Sequence, residues 1–158
     1  MGGLLKAYSK GKAGTSLMEG MVTDGYLPPT GDTSNPWIRL FRKIHDRYDA
    51  KAPFDGNVEY GMAAAYTFAQ ALKAAGKNPT RKSIVDAVAS SHFTGPGLVP
   101  FRYSSSSHAG YTGAQIGTVK GGQIVLSGMP VTTDDATGPL TPYTKPQPVP
   151  GANGVVKQ

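Results

Sequence analysis

Most side chains that commonly do chemistry are present in this sequence, cysteine excepted, but their spacing assembles no reaction centre. Gly11-Lys12-Ala13-Gly14-Thr15-Ser16 has the glycines and lysine of a phosphate-binding loop. Such a loop needs Ser or Thr directly after the lysine, and Ala13 stands there, so the segment reads as a connector. His45, His92 and His108 share no i, i+4 pairing, which points to surface or capping roles and not to metal ligation. Ser104–Ser107 beside His108 bring hydroxyls near an imidazole. No Gly-x-Ser-x-Gly elbow surrounds them, and a Ser-rich turn accounts for them. Glu19, Asp24, Asp55 and Glu59 are the carboxylates that could line a cleft, yet nothing in their spacing pairs them. Zero cysteine excludes a disulfide scaffold, a thiolate zinc site and a cysteine nucleophile. Asn78-Pro79-Thr80 is no glycosylation acceptor, because proline fills its middle position.

The elements that would position these groups are legible from periodicity. Ser16–Tyr26, with Leu17, Met18, Met21 and Val22 between turn residues, reads as a short buried strand, and Leu4–Lys10 before it as the end of a helix. Pro28-Pro29 forbids regular structure. Asn35-Pro36 then opens a helix: asparagine caps, and proline sits in the first turn, where its missing N–H costs nothing. Trp37, Leu40, Phe41, Ile44 and Tyr48 recur every three or four residues on one face, opposite Arg39, Arg42, Lys43, Asp46 and Arg47. Tyr60–Ala75 is Ala-rich and apolar nearly all round, with Lys73 its one charge, as a buried helix would be; Gly76 closes it. Thr80 caps a third helix through Ile84, Val85 and Val88 to about Ser90.

From His92 the pattern changes to strands. Leu98–Tyr103 follows a Gly95-Pro96-Gly97 turn, and Gln115–Lys120 and Gln123–Ser127 are joined by Gly121-Gly122, which suits a hairpin. Beyond Thr132 the chain is rich in Pro, Gly and Thr and reads as an extended arm or disorder.

Charge narrows the function classes further. The net charge is +6, but only 16% of residues are charged, and the densest cluster (Arg39, Arg42, Lys43, Arg47, Lys51) is interrupted by Asp46 and Asp49. A solvated helix face explains it, and no nucleic-acid partner is expected. No apolar run is long enough to span a membrane, and Met1–Lys10 lacks the apolar core of a signal peptide.

Taken in order, these elements resemble the C-terminal third of the bacterial branched-chain amino-acid-type solute-binding proteins, the extracytoplasmic receptors of ABC importers. The resemblance runs from about Tyr26 to Val131. It rests on Glu19–Thr23 (EGMVT) leading to a Tyr-Leu-Pro turn, an amphipathic helix ending in Arg47-Tyr48, and an Ala-rich helix closing as Ala71–Gly76 (ALKAAG). Pro79–Lys82 (PTRK), Phe93–Phe101 (FTGPGLVPF) and the hairpin Ile116–Val125 (IGTVKGGQIV) complete it. The resemblance implies an α/β fold, the C-terminal fragment of a bilobed type I periplasmic-binding fold with about three helices, short strands and a hairpin. Residues 1–26 would end the second lobe, 27–111 complete the first, 112–131 return to the second as the hairpin, and 132–158 form the tail.

The family implies a binding module in place of an enzyme, with no catalytic residue, metal or cofactor. A small polar solute such as an amino acid would be held between two lobes and delivered to a membrane permease. The segment entering the Ala-rich helix faces the cleft in the family, which makes Asn57 and Tyr60 candidate ligand contacts; Tyr26, beside a hinge, is a third. Where family members often carry Tyr-Asp-Ala, this chain has Met62-Ala63-Ala64. The missing two thirds would hold the signal peptide and most of both sheets, and this chain alone would expose apolar surface and self-associate. Two other readings remain: a ligand-sensing domain of the same fold, and a Ser/His hydrolase working through His108.

Overall fold

The computed structural model describes residues 15–90, 93–103, 107–133 and 138–151. A 3₁₀ turn at Thr15–Met18 leads into β1 (Val22–Gly25). Three helices follow, α1 (Pro36–Tyr48), α2 (Gly56–Ala75) and α3 (Arg81–Ser90). The rest is strand: β2 (Phe101–Arg102), β3 (Gly110–Tyr111), β4 (Gly113–Lys120), β5 (Gln123–Leu126), β6 (Val131–Thr132) and β7 (Thr141–Pro142). β4 is the centre of a five-stranded antiparallel sheet: β1 pairs with it, as do β5 and β6, and β7 extends β6. β2 and β3 form a separate two-stranded ribbon.

Two units result. The helices pack on one another and the strands pair among themselves, with no comparable helix-on-sheet interface among the described residues. The chain passes from sheet to helices after β1 and returns through Thr112, between β3 and β4.

α1 begins as its sequence dictates. Asn35 takes an extended conformation and its Oδ1 accepts from the Trp37 amide at 2.9 Å, with Pro36 in the first turn. The buried face is Trp37, Ile38, Phe41 and His45, which corrects the expected stripe: Ile44 and Tyr48 are exposed. Ile38 and His45 lie seven apart on the same side as Phe41, so the true face is rotated about one residue from the periodic one. His45 is therefore not a surface group. Its ring meets Phe54 edge-on at 5.4 Å, and Nδ1 lies 3.0 Å from Asp46 Oδ1. Trp37, Phe41 and Ala63 form the core between α1 and α2, with Tyr66 edge-on to the indole at 4.8 Å. Burying side chains of this size is worth about 1.5–3 kcal/mol each, which fixes the helix pair.

α2 starts four residues earlier than expected, because Asp55 Oδ1 accepts from the amides of Asn57 and Val58 at 2.9 and 3.1 Å. It buries Glu59, Ala63, Gln70 and Ala71, while Tyr60 and Phe68 stay more than half exposed. Thr80 and Ser83 bond reciprocally at the start of α3, as the capping pattern anticipates.

The strands depart more from the sequence reading. Regular pairing covers only Val22–Gly25 of the expected Ser16–Tyr26 strand, because Gly20 turns the chain at φ 78°. Leu17, in the 3₁₀ turn, is exposed, and so is Val22, which stands opposite Thr118 on a sheet face that it shares with the exposed Ile116 and Val125. Leu98–Tyr103 shrinks to Phe101–Arg102, preceded by Pro100, which has no N–H to give a ladder. The β4–β5 hairpin forms around Gly121 and Gly122 at φ 57° and 78°, a conformation glycine adopts without strain. The expected helix at Leu4–Lys10 lies outside the described residues.

The C-terminal arm is extended and docked. After β7 it runs back to the helices, where Gln147 bonds Asn35 and the Pro96-Gly97 turn, and the Trp37 indole donates to Pro148 O at 2.6 Å.

Candidate functional site

A groove of about 630 Å³ opens where the two crossings between sheet and helices meet. The loop after β1 contributes Tyr26, and the second to fourth turns of α2 contribute Tyr60, Ala64, Thr67 and Phe68. The ribbon contributes Phe101, Tyr103 and Tyr111. Asp55 capping presents Tyr60 one turn into α2, and the hairpin of β2 on β3 (Phe101 opposite Tyr111) brings the ring set together.

The rings pack on one another in a connected series. Tyr26 stacks on Tyr111 with centroids 5.2 Å apart and planes 28° apart; Phe101 meets Tyr111 edge-on at 5.3 Å and lies 5.1 Å from Tyr103. The Tyr26–Tyr111 stack joins one residue from each crossing. Gly97 permits it: a Cβ there would fall inside the Tyr111 ring.

No lining residue is charged, so phenol and Thr67 hydroxyls are the polar groups available to an occupant. Burial pushes the Tyr111 hydroxyl up to about 12, with the nearby Thr67 and Gly97 groups opposing the shift. Tyr26 is also raised, first by burial and then by Tyr60 and Glu59 beside it. Glu59 lies just behind these rings. It is 5% exposed, its Oε1 has no hydrogen-bond partner, and burial raises its carboxyl to about 7. Such a surface holds rings and apolar chains by contact and gives directional bonds through neutral hydroxyls.

Of the three residues singled out from sequence, Tyr26 and Tyr60 line the groove; Asn57 does not, and is exposed on the first turn of α2. The other chemical candidates do not converge. Glu19 accepts from the Gly121 amide at 2.8 Å, Asp55 caps α2, and Asp24 is exposed on β1. His108 is exposed and lies over Tyr103 at 5.1 Å, near the groove rim; Ser104–Ser106 and His92 lie outside the described residues. Among the described residues no three His, Asp or Glu side chains group as metal ligands. Sequence reasoning missed Tyr111, Phe101 and Tyr103. Their signal was an aromatic at 101, 103 and 111 flanking a glycine-containing turn, and only strand pairing shows that these rings meet.

No family model matches the chain, and no curated protein matches its sequence. A solved structure does: the crystal structure of a branched chain amino acid ABC transporter from Thermus thermophilus with bound valine, at 21% identity and a TM-score of 0.51. The match covers 75% of this chain and 35% of the other, so the chain spans about a third of that protein's length. No helix among the described residues is long and apolar enough to cross a membrane. At this identity the likeness is one of architecture: the chain is an α/β unit consistent with part of a periplasmic-binding-protein fold.

Proposed function

We propose that this chain forms part of an extracytoplasmic solute-binding component of an ABC importer, and that the tyrosine-lined groove is one wall of its solute site. The supporting observation is the Tyr26–Tyr111 stack, which places rings from both crossings at the junction of the two units. In a two-lobed receptor that junction is where a solute is enclosed, and its greater affinity for the closed form shifts the population toward closure. Residues 1–26 and 112–131 belong on this reading to one lobe and 27–111 to the other. The solute is small and polar, such as an amino acid, with an apolar portion against Tyr60 and Phe68. Binding involves no bond chemistry and no cofactor, and the closed form is read by a membrane permease.

Calorimetry decides the matter. The longer polypeptide containing these residues is expected to bind at least one member of an amino-acid panel. Tyr26→Ala and Tyr60→Ala should each weaken that binding by about tenfold or more, the loss of one buried ring contact. This chain alone, with one wall of the site, is expected to bind the same solute only at millimolar levels. Micromolar affinity for this chain alone, or unchanged affinity in both variants, would overturn the reading.

A further inference from the structure

We propose that the C-terminal arm is a latch, a third tether that limits how far the sheet unit and the helical unit can swing apart. On the sheet side the arm is held by β7 on β6 and by the Tyr143 amide, which donates to Pro130 O at 2.8 Å. On the helical side the anchor is Gln147. Its amide nitrogen donates to the carbonyls of Pro96 and Gly97, and its Oε1 accepts from Asn35 Nδ2 at 2.9 Å. Asn35 spends its other amide atom on the Trp37 amide, so both ends of its side chain are committed. The Trp37 indole then fixes the next residue of the arm through Pro148 O at 2.6 Å.

Geometry makes this a restraint and not a decoration. Only four residue steps separate Tyr143 from Gln147, and an extended chain covers about 3.3–3.6 Å per step, so the two anchors can never stand more than about 14 Å apart. The two other crossings, after β1 and through Thr112, act as hinges near the groove. The latch crosses by a separate route, to the N-terminus of α1 and the Gly95-Pro96-Gly97 turn. Pivoting about the first two crossings therefore pulls on Gln147. The same turn backs Tyr111 through Gly97, so the latch and the ring stack share one support. The inference is independent of what fills the groove.

The chain has no cysteine, so Lys43→Cys on exposed α1 and Lys120→Cys at the end of β4 are the sole sites for a spin-label pair. Pulsed dipolar spectroscopy would measure the distance between them in three backgrounds. These are the parent, Gln147→Ala, and an insertion of Gly-Ser-Gly-Ser between Lys145 and Pro146 that keeps both anchors but slackens the link. The expected result is a distribution that lengthens or broadens by about 5 Å or more in both altered chains, since four added residues give about 13 Å of slack. Far-UV circular dichroism tells whether Gln147→Ala still folds; if it does not, the insertion alone decides. Distributions matching the parent's to within about 2 Å in every folded variant would overturn the latch, and would leave Gln147 a merely stabilising contact.

Discussion

Glu59 is a carboxyl left only 5% exposed, and no donor meets its buried Oε1. Its value of about 7 against an ordinary 4.5 means that the folded state binds its proton more tightly than the unfolded chain does. The stabilisation linked to that proton is thus complete below about pH 4.5, declines as pH rises through 7, and is absent above it. A shift of this size corresponds to about 3 kcal/mol. Urea midpoints are expected to fall between pH 5 and pH 8 in the parent, and to stay nearly level in Glu59→Gln, which keeps the shape and removes the charge. Gly97 is the second sensitive residue. Gly97→Ala drives a methyl into the Tyr111 ring, so a loss of about 2 kcal/mol is expected, with a change in near-ultraviolet tyrosine dichroism. Neither residue announces itself in sequence. In sequence Glu59 is one of four carboxylates that could line a cleft, and only its burial in the folded chain shows that it is desolvated.

Helix and hairpin boundaries follow from local chemistry, and there the sequence was a good guide. Asn35, Thr80 and the Gly121-Gly122 turn all do what their types and positions suggest, because caps and tight turns depend on neighbours a few residues away, whereas Asp55 was passed over as a cap, so the start of α2 was placed four residues late. Asp55→Ala should cost about 1 kcal/mol, the ordinary worth of an N-cap, measured as a lower thermal midpoint. The buried side of α1 was harder. Trp37 and Phe41 were legible, but Ile38 and His45 take the places that spacing offered to Ile44 and Tyr48, since the neighbour's position decides which edge of an apolar stripe is covered. Short strands were least legible: β2 and β3 hold two residues each, and their pairing depends on partners eight and ten positions away.

Across the whole molecule, apolar surface is left uncovered on both units. Val22, Ile116 and Val125 lie exposed on one sheet face, and Tyr60, Phe68 and Val85 on the helices. Contiguous apolar faces of this kind drive association. Static light scattering across a dilution series is expected to show an apparent mass that rises with concentration; a constant monomer mass would show that these faces tolerate water. The fold class was legible from the order of elements, and the docking of the arm was not, because Pro- and Gly-rich composition says that a segment is extended without saying what it touches. Trp37 is the single tryptophan of the chain, and its indole nitrogen is closed off by the carbonyl of Pro148. The protein therefore carries its own optical gauge: a red shift in its intrinsic fluorescence, seen without any added dye, would mark the moment the arm lets go.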